Sequence, residues 1–153
     1  MWSVDYVMNS NSENPGVGKA FQGKVHMIME KCFSQKFIDE QPVLIGNPPK
    51  PHKFDMVSDD GQIIVECKCY TWTKSGNVPS AKLSTLDEAV LYMRSVTYKA
   101  KKIIAMRRDL NEKRRISLAE YFCDKKGHLL DDIEVWEIDD EDNIKVVNSG
   151  VTK

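Results

Sequence analysis

The chain has no run of roughly 18 apolar residues, no internal repeat, no low-complexity tract and no CxxC pair. The first absence excludes a transmembrane helix of ordinary length. The last, with no histidine at zinc-ligand spacing from Cys32, Cys67, Cys69 or Cys123, argues against structural zinc. Without a disulfide framework or a signal-type leader, the expected setting is a reducing cytoplasm with no membrane partner. An excess of either charge is missing too, for the net charge is -1 and the pI about 6.3. That average conceals an asymmetry: residues 94–126 carry eleven Lys or Arg against four acids, and residues 131–142 carry eight acids and no Lys or Arg. With 153 residues, 41% of them hydrophobic, the chain has enough apolar material for one core. One domain is expected over 16–153, behind an arm at 1–15.

The segment from His52 to Lys68 is the richest in chemistry. Asp60-Gly61, between two apolar runs, is the signal of a hairpin with a two-residue I′ turn. Partners across it then have numbers summing to 121, which sets Asp55 opposite Glu66, with Lys68 on the same face. The other face would carry Phe54, Met56, Ile63, Val65, Cys67 and Cys69, and a one-residue slip would exchange the faces. Paired residues summing to 119 or 123 would still leave Asp55 and Glu66 on one face, diagonally apart.

Two carboxylates facing each other on neighbouring strands repel, so an all-structural sheet would gain by losing one. A hard divalent cation between them removes the conflict. Mg²⁺ takes one or two carboxylates, carbonyl oxygens and water, and the backbone carbonyl of Cys67 would be a third ligand. Lys68 would orient or deprotonate an attacking water, or stabilise a pentacovalent phosphate. The bland alternative is an exposed sheet face with an ordinary Glu and Lys pair.

Asp55 followed by Glu66-Cys67-Lys68 resembles the signature of the PD-(D/E)xK nuclease superfamily, which includes restriction endonucleases, Holliday junction resolvases and repair nucleases. The residue before Asp55 is Phe54, so the family's proline is absent. The resemblance implies an α/β fold, restriction endonuclease-like, with an αβββαβ core and a central mixed sheet flanked by helices. The chain can be read that way over about residues 16–108. Apolar residues from Val17 to Phe33 recur at helical spacing, and a strand follows near Val43-Leu44-Ile45. The hairpin strands come next. Capping-box patterns at Ser84 with Asp87 and Thr85 with Glu88 predict a second helix from Ser84, and a strand follows near Lys102 to Met106, parallel to the motif strand. Further strands are predicted over 133–138 and 143–147.

The resemblance also implies another glutamate from the first helix. Phe21-Gln22 stands where such families show an aromatic followed by Glu, so either Gln22 replaces the acid or Glu30, two turns on, takes its place. Gln22, His26 and Glu30 form one stripe, which a solvated helix face would show equally.

Nucleic-acid contacts are expected from the loop after the motif, where Trp72 offers a stacking face and Lys74 and Lys82 offer charge, and from Arg107, Arg108, Arg114 and Arg115. Trp72 as a buried anchor fits the loop equally well. The acidic tract should face away from DNA. The expected activity is thus metal-dependent DNA endonuclease chemistry of restriction or defence type. It would use Mg²⁺ or Mn²⁺, with Asp55 and Glu66 as ligands, Lys68 and Glu30 as further catalytic residues, and a homodimer for double-strand cleavage. The alternatives are a nuclease-like assembly or binding subunit without chemistry and a nuclease for branched DNA or RNA.

Overall fold

A computed structural model describes residues 15–150. The expected arm lies outside the described residues except for Pro15, which begins the first helix. In chain order the elements are α1 (Pro15–Phe33), β1 (Phe37–Ile45), β2 (Lys50–Ser58), β3 (Ile63–Lys68), α2 (Ser80–Arg94), β4 (Lys101–Arg107), β5 (Leu110–Asn111), β6 (Ile116–Ser117), α3 (Leu118–Lys126), a 3₁₀ turn (Gly127–Leu129), β7 (Glu134–Ile138) and β8 (Ile144–Asn148). Six strands form one mixed sheet in the order β1-β2-β3-β4-β7-β8, with β3-β4 and β4-β7 parallel and the remaining pairs antiparallel. Short β5 and β6 pair separately.

The sheet carries a helix layer on each face. α1 packs Phe21, Val25 and Met29 with Met56, Ile63, Val65, Ile103 and Ala105. On the other face α2 supplies Leu86, Ala89, Val90 and Met93, and α3 supplies Leu118, Ala119 and Phe122, over Val57, Ile64, Ile104 and Met106. β3 and β4 are apolar on both faces because both are covered, as expected of parallel strands between helices.

Met56 pairs with Val65 and Val57 with Ile64, so the hairpin register sums to 121 as expected. The turn differs. Gly61 has φ +76 while Asp60 is not among the residues with positive φ, so this is no I′ turn. Instead the Gly61 N–H bonds the Ser58 carbonyl, and the Asp60 carboxylate accepts from the Ser58 hydroxyl and the Gln62 N–H. A side chain able to bond backbone two residues on stabilises this longer loop at the same strand offset.

The expected faces hold with one correction. Met56, Ile63, Val65 and Cys69 lie in the α1-side cluster and Cys67 packs against it, but Phe54 belongs to the α2-side cluster. The β1-β2 ladder leaves out Glu40 and Asp55, and Glu40 has φ +54. This break in the alternation explains why Phe37 and Val43 of β1 join different clusters, as do Met56 and Phe54 of β2.

α2 begins one turn earlier than expected, after Pro79, and its N-cap makes no side-chain bond. Ser84 and Thr85 are not caps: their hydroxyls bond the carbonyls of Ser80 and Lys82 within the helix. The capping box that forms is at Ser117 and Glu120 and opens α3, which the periodicity did not predict.

Candidate active site at the end of strand β3

Asp55, Glu66 and Lys68 meet where β2 and β3 part. The Asp55 N–H donates to Glu66 Oε1 at 3.0 Å, and the Cys67 N–H donates to Asp55 Oδ2 at 2.7 Å. Each carboxylate therefore holds the opposite strand's backbone with one oxygen. Lys68 Nζ stands 3.8 Å from Glu66 Oε2. The side chains of Glu66 and Lys68 are only 14% and 16% exposed, so water screens this group poorly.

The electrostatics follow from that burial. Glu66 is pushed up to about 7, first by burial and then by the Asp55 charge, against the pull of Lys68 and of the Asp55 N–H. Asp55 is raised as well, chiefly by burial, with the Cys67 N–H and Lys68 opposing. Both acids thus resist ionising together, as like charges sharing a poorly solvated space must.

The residues fit a hard, water-rich divalent cation. Asp55 Oδ1 has no hydrogen-bond partner among the described residues, and Glu66 Oε2 has only the distant Lys68 amine. Two carboxylate oxygens are what Mg²⁺ uses before recruiting water and phosphate. Among the described residues no three His, Cys, Asp or Glu side chains gather to form a closed metal cage.

Of the two candidates on α1, the structure brings Gln22 and not Glu30 to this group. The Gln22 amide donates to the Asp55 carbonyl and to Glu40 Oε2, both at 3.1 Å. Glu30 lies about 12 Å further along the helix. Its carboxylate accepts from the Phe37 N–H and from His26, whose other ring nitrogen meets Asp39. Sequence reasoning missed Glu40, whose charge adds to the raised pKa of both Asp55 and Glu66. Nothing in a strand read as starting at Val43 signals that residue.

The expected nucleic-acid contacts disperse. Trp72 is 7% exposed, its indole N–H bonds the Asp109 carbonyl, and the Arg114 guanidinium lies over its ring at 5.3 Å. Trp72 is the buried anchor of its loop, because Asp109 and Arg114 consume its edge and face. Lys82 and Lys68 both lie over the Tyr70 ring, at 5.6 and 5.8 Å from its centroid. Arg108 bonds Glu137 at 2.7 Å, and Arg115, exposed, sits at φ +56.

Lys74 and Arg107 line an open groove of about 900 Å³ with Lys24, Cys69 and Asp140, and neither Asp55, Glu66 nor Lys68 contributes to it. The acidic tract does not face away from the basic residues here: Asp140 pairs with Arg107 at 3.5 Å and Asp142 with Lys24 at 3.0 Å. Charges separated along the sequence are brought together by the β7-β8 turn.

No helix among the described residues is long and apolar enough to cross a membrane. Comparison with protein-family models, with curated proteins and with solved structures found no match.

Proposed function

We propose that the chain is a metal-dependent phosphodiesterase acting on DNA, with Asp55 and Glu66 as ligands of Mg²⁺ or Mn²⁺ and Lys68 as the catalytic lysine. One observation supports this above the others: two carboxylates on adjacent strands are held together by each other's backbone, at a cost in charge repulsion, with an amine beside them. In a purely structural sheet that arrangement is a liability. A cation bound there supplies positive charge to the phosphate and lowers the pKa of attacking water.

The chain's own residues do the remainder. The two backbone bonds fix the orientation of Asp55 and Glu66. Gln22 steadies the Asp55 backbone from α1, in the place where the PD-(D/E)xK pattern carries an acid. Lys68, in a poorly solvated position, meets the charge that develops on the phosphate as water adds in line and the leaving oxygen departs. Cleavage of both strands would call for two copies or two binding events, as a restriction- or defence-type role requires.

The test is plasmid DNA incubated with the protein and Mg²⁺ or Mn²⁺. Wild type should nick or linearise it; Asp55→Asn should lower the rate about 10³-fold and Lys68→Ala about 10²-fold or more, the range for removing one group from such a site. Circular dichroism should show both variants folded. DNA retarded on a gel but left uncut by wild type would reject the enzyme in favour of a binding module.

A further inference from the structure

His52 sits on β2, three residues before Asp55, and its ring is fixed from two sides. It stacks on Tyr92 of α2 with centroids 4.0 Å apart and meets the Phe54 ring edge-on at 4.8 Å. Two aromatic contacts set the plane of the imidazole but satisfy neither nitrogen. Neither ring nitrogen of His52 has a hydrogen-bond partner among the described residues, whereas His26 spends both of its own on Asp39 and Glu30. Neither nitrogen is among the buried side-chain atoms left without a partner, so the oriented ring keeps its polar edge open to solvent, where a ligand can reach it.

Its surroundings join it to the candidate site. The charges that bear on it are Glu88 from α2, Asp55 from its own strand and Lys68 from β3. Burial is the largest influence and holds the ring below the ordinary histidine pKa. At neutral pH it is therefore uncharged, with one nitrogen donating and the other accepting. Along an extended strand, three residues place His52 about 10 Å from Asp55. That spacing between backbones sets the ring beside the carboxylate pair and not within it, where a neighbouring phosphate of a strand lying across β2 would pass.

We propose that His52 is a substrate-contact residue, donating a ring N–H to a non-bridging oxygen of the phosphate adjacent to the one cleaved. This rests on the phosphodiesterase reading and adds a direction: the bound strand runs from Lys68 across β2 toward Tyr92.

Two substitutions separate the polar role from the packing role. His52→Phe keeps a flat ring against Tyr92 and removes both nitrogens; His52→Gln loses the stack and keeps an N–H donor. Affinity for a DNA oligonucleotide, read by fluorescence anisotropy without divalent metal, should fall about tenfold in His52→Phe and less in His52→Gln, as loss of one hydrogen bond to a charged group predicts. In cleavage assays the loss should appear mainly in KM. A methylphosphonate at the phosphate beside the cut should weaken wild type and leave His52→Phe unchanged. Wild-type affinity and KM in His52→Phe would overturn the contact while leaving the phosphodiesterase reading intact. A wild type that cuts no DNA would reject that reading itself, and this proposal with it.

Discussion

Two poorly solvated glutamates on one sheet face make an instructive pair. Glu137 of β7 is 1% exposed and meets Arg108 at 2.7 Å, with Lys145 beside it as its cross-strand partner on β8. Glu66 of β3 feels the Asp55 charge from across the hairpin, and its lysine stands off at 3.8 Å. Both lie in rows that pass under α2 and α3, since Glu66 pairs with Ile104 and Glu137 with Met106. The fold gives one acid a close cation through a single oxygen, Glu137 Oε2 staying buried with no hydrogen-bond partner among the described residues, and gives the other no close cation at all. Buried charge is tolerated when it is paired, so the acid lacking an adequate partner marks the place where a partner from outside is expected.

The sharpest way to break this comparison is to remove the partner that exists. Arg108→Met should leave Glu137 buried and poorly compensated, with Lys145 already committed to Glu120 at 2.8 Å. A loss of about 3 kcal/mol is expected, the low end for an orphaned buried charge, because Arg108 is itself partly exposed. At about 2–4 °C per kcal/mol for a chain of this size, the melting temperature should drop by roughly 6–12 °C. An unchanged melting temperature would show that the pair contributes no net stability.

The opposite sign is expected at the site. A carboxyl whose folded pKa is raised binds its proton more tightly folded than unfolded, so its effect is harmless below the unfolded value and destabilising as pH rises through the folded one. For Glu66 that window runs from the ordinary 4.5 to about 7. Glu66→Gln should therefore melt with wild type near pH 4 and several degrees above it at pH 8 without metal, while losing cleavage. Thermal scans across that range decide it, and equal melting at pH 8 would mean that the two acids do not strain the fold. A site residue that lowers stability is the ordinary form of the stability–activity conflict.

The sequence made the paired acids legible because hairpin register is a local property. Asp60-Gly61 and the alternation of Ile63, Val65 and Cys67 determine which residues face which, and even a different turn conformation left the offset unchanged. The parallel β3-β4 neighbours followed from the crossover through the helix read between them, and the mixed sheet was what the family resemblance implied. What stayed hidden depends on contacts between distant segments. Gln22 reaches Asp55 across 33 positions, and Trp72 is buried by Asp109 and Arg114, which its own loop does not announce. Capping patterns misled in one place and were overlooked in another: Ser84 and Thr85 carry the pattern inside a helix, whereas Ser117 with Glu120 forms the cap. Four residues can satisfy such a pattern wherever the backbone happens to be helical. The acidic and basic tracts suggested opposite faces, yet the β7-β8 turn folds Asp140 onto Arg107.

The most direct test of a cation-binding role for Asp55 and Glu66 is the melting temperature at pH 8 as Mg²⁺ or Mn²⁺ is added, for wild type and Glu66→Gln in parallel. A ligand that binds only the folded state at a hundred times its dissociation constant stabilises by about 2.7 kcal/mol. Wild type should thus rise by several degrees in saturating metal and Glu66→Gln by little. A flat wild-type curve, or one that the variant follows equally, would contradict the account.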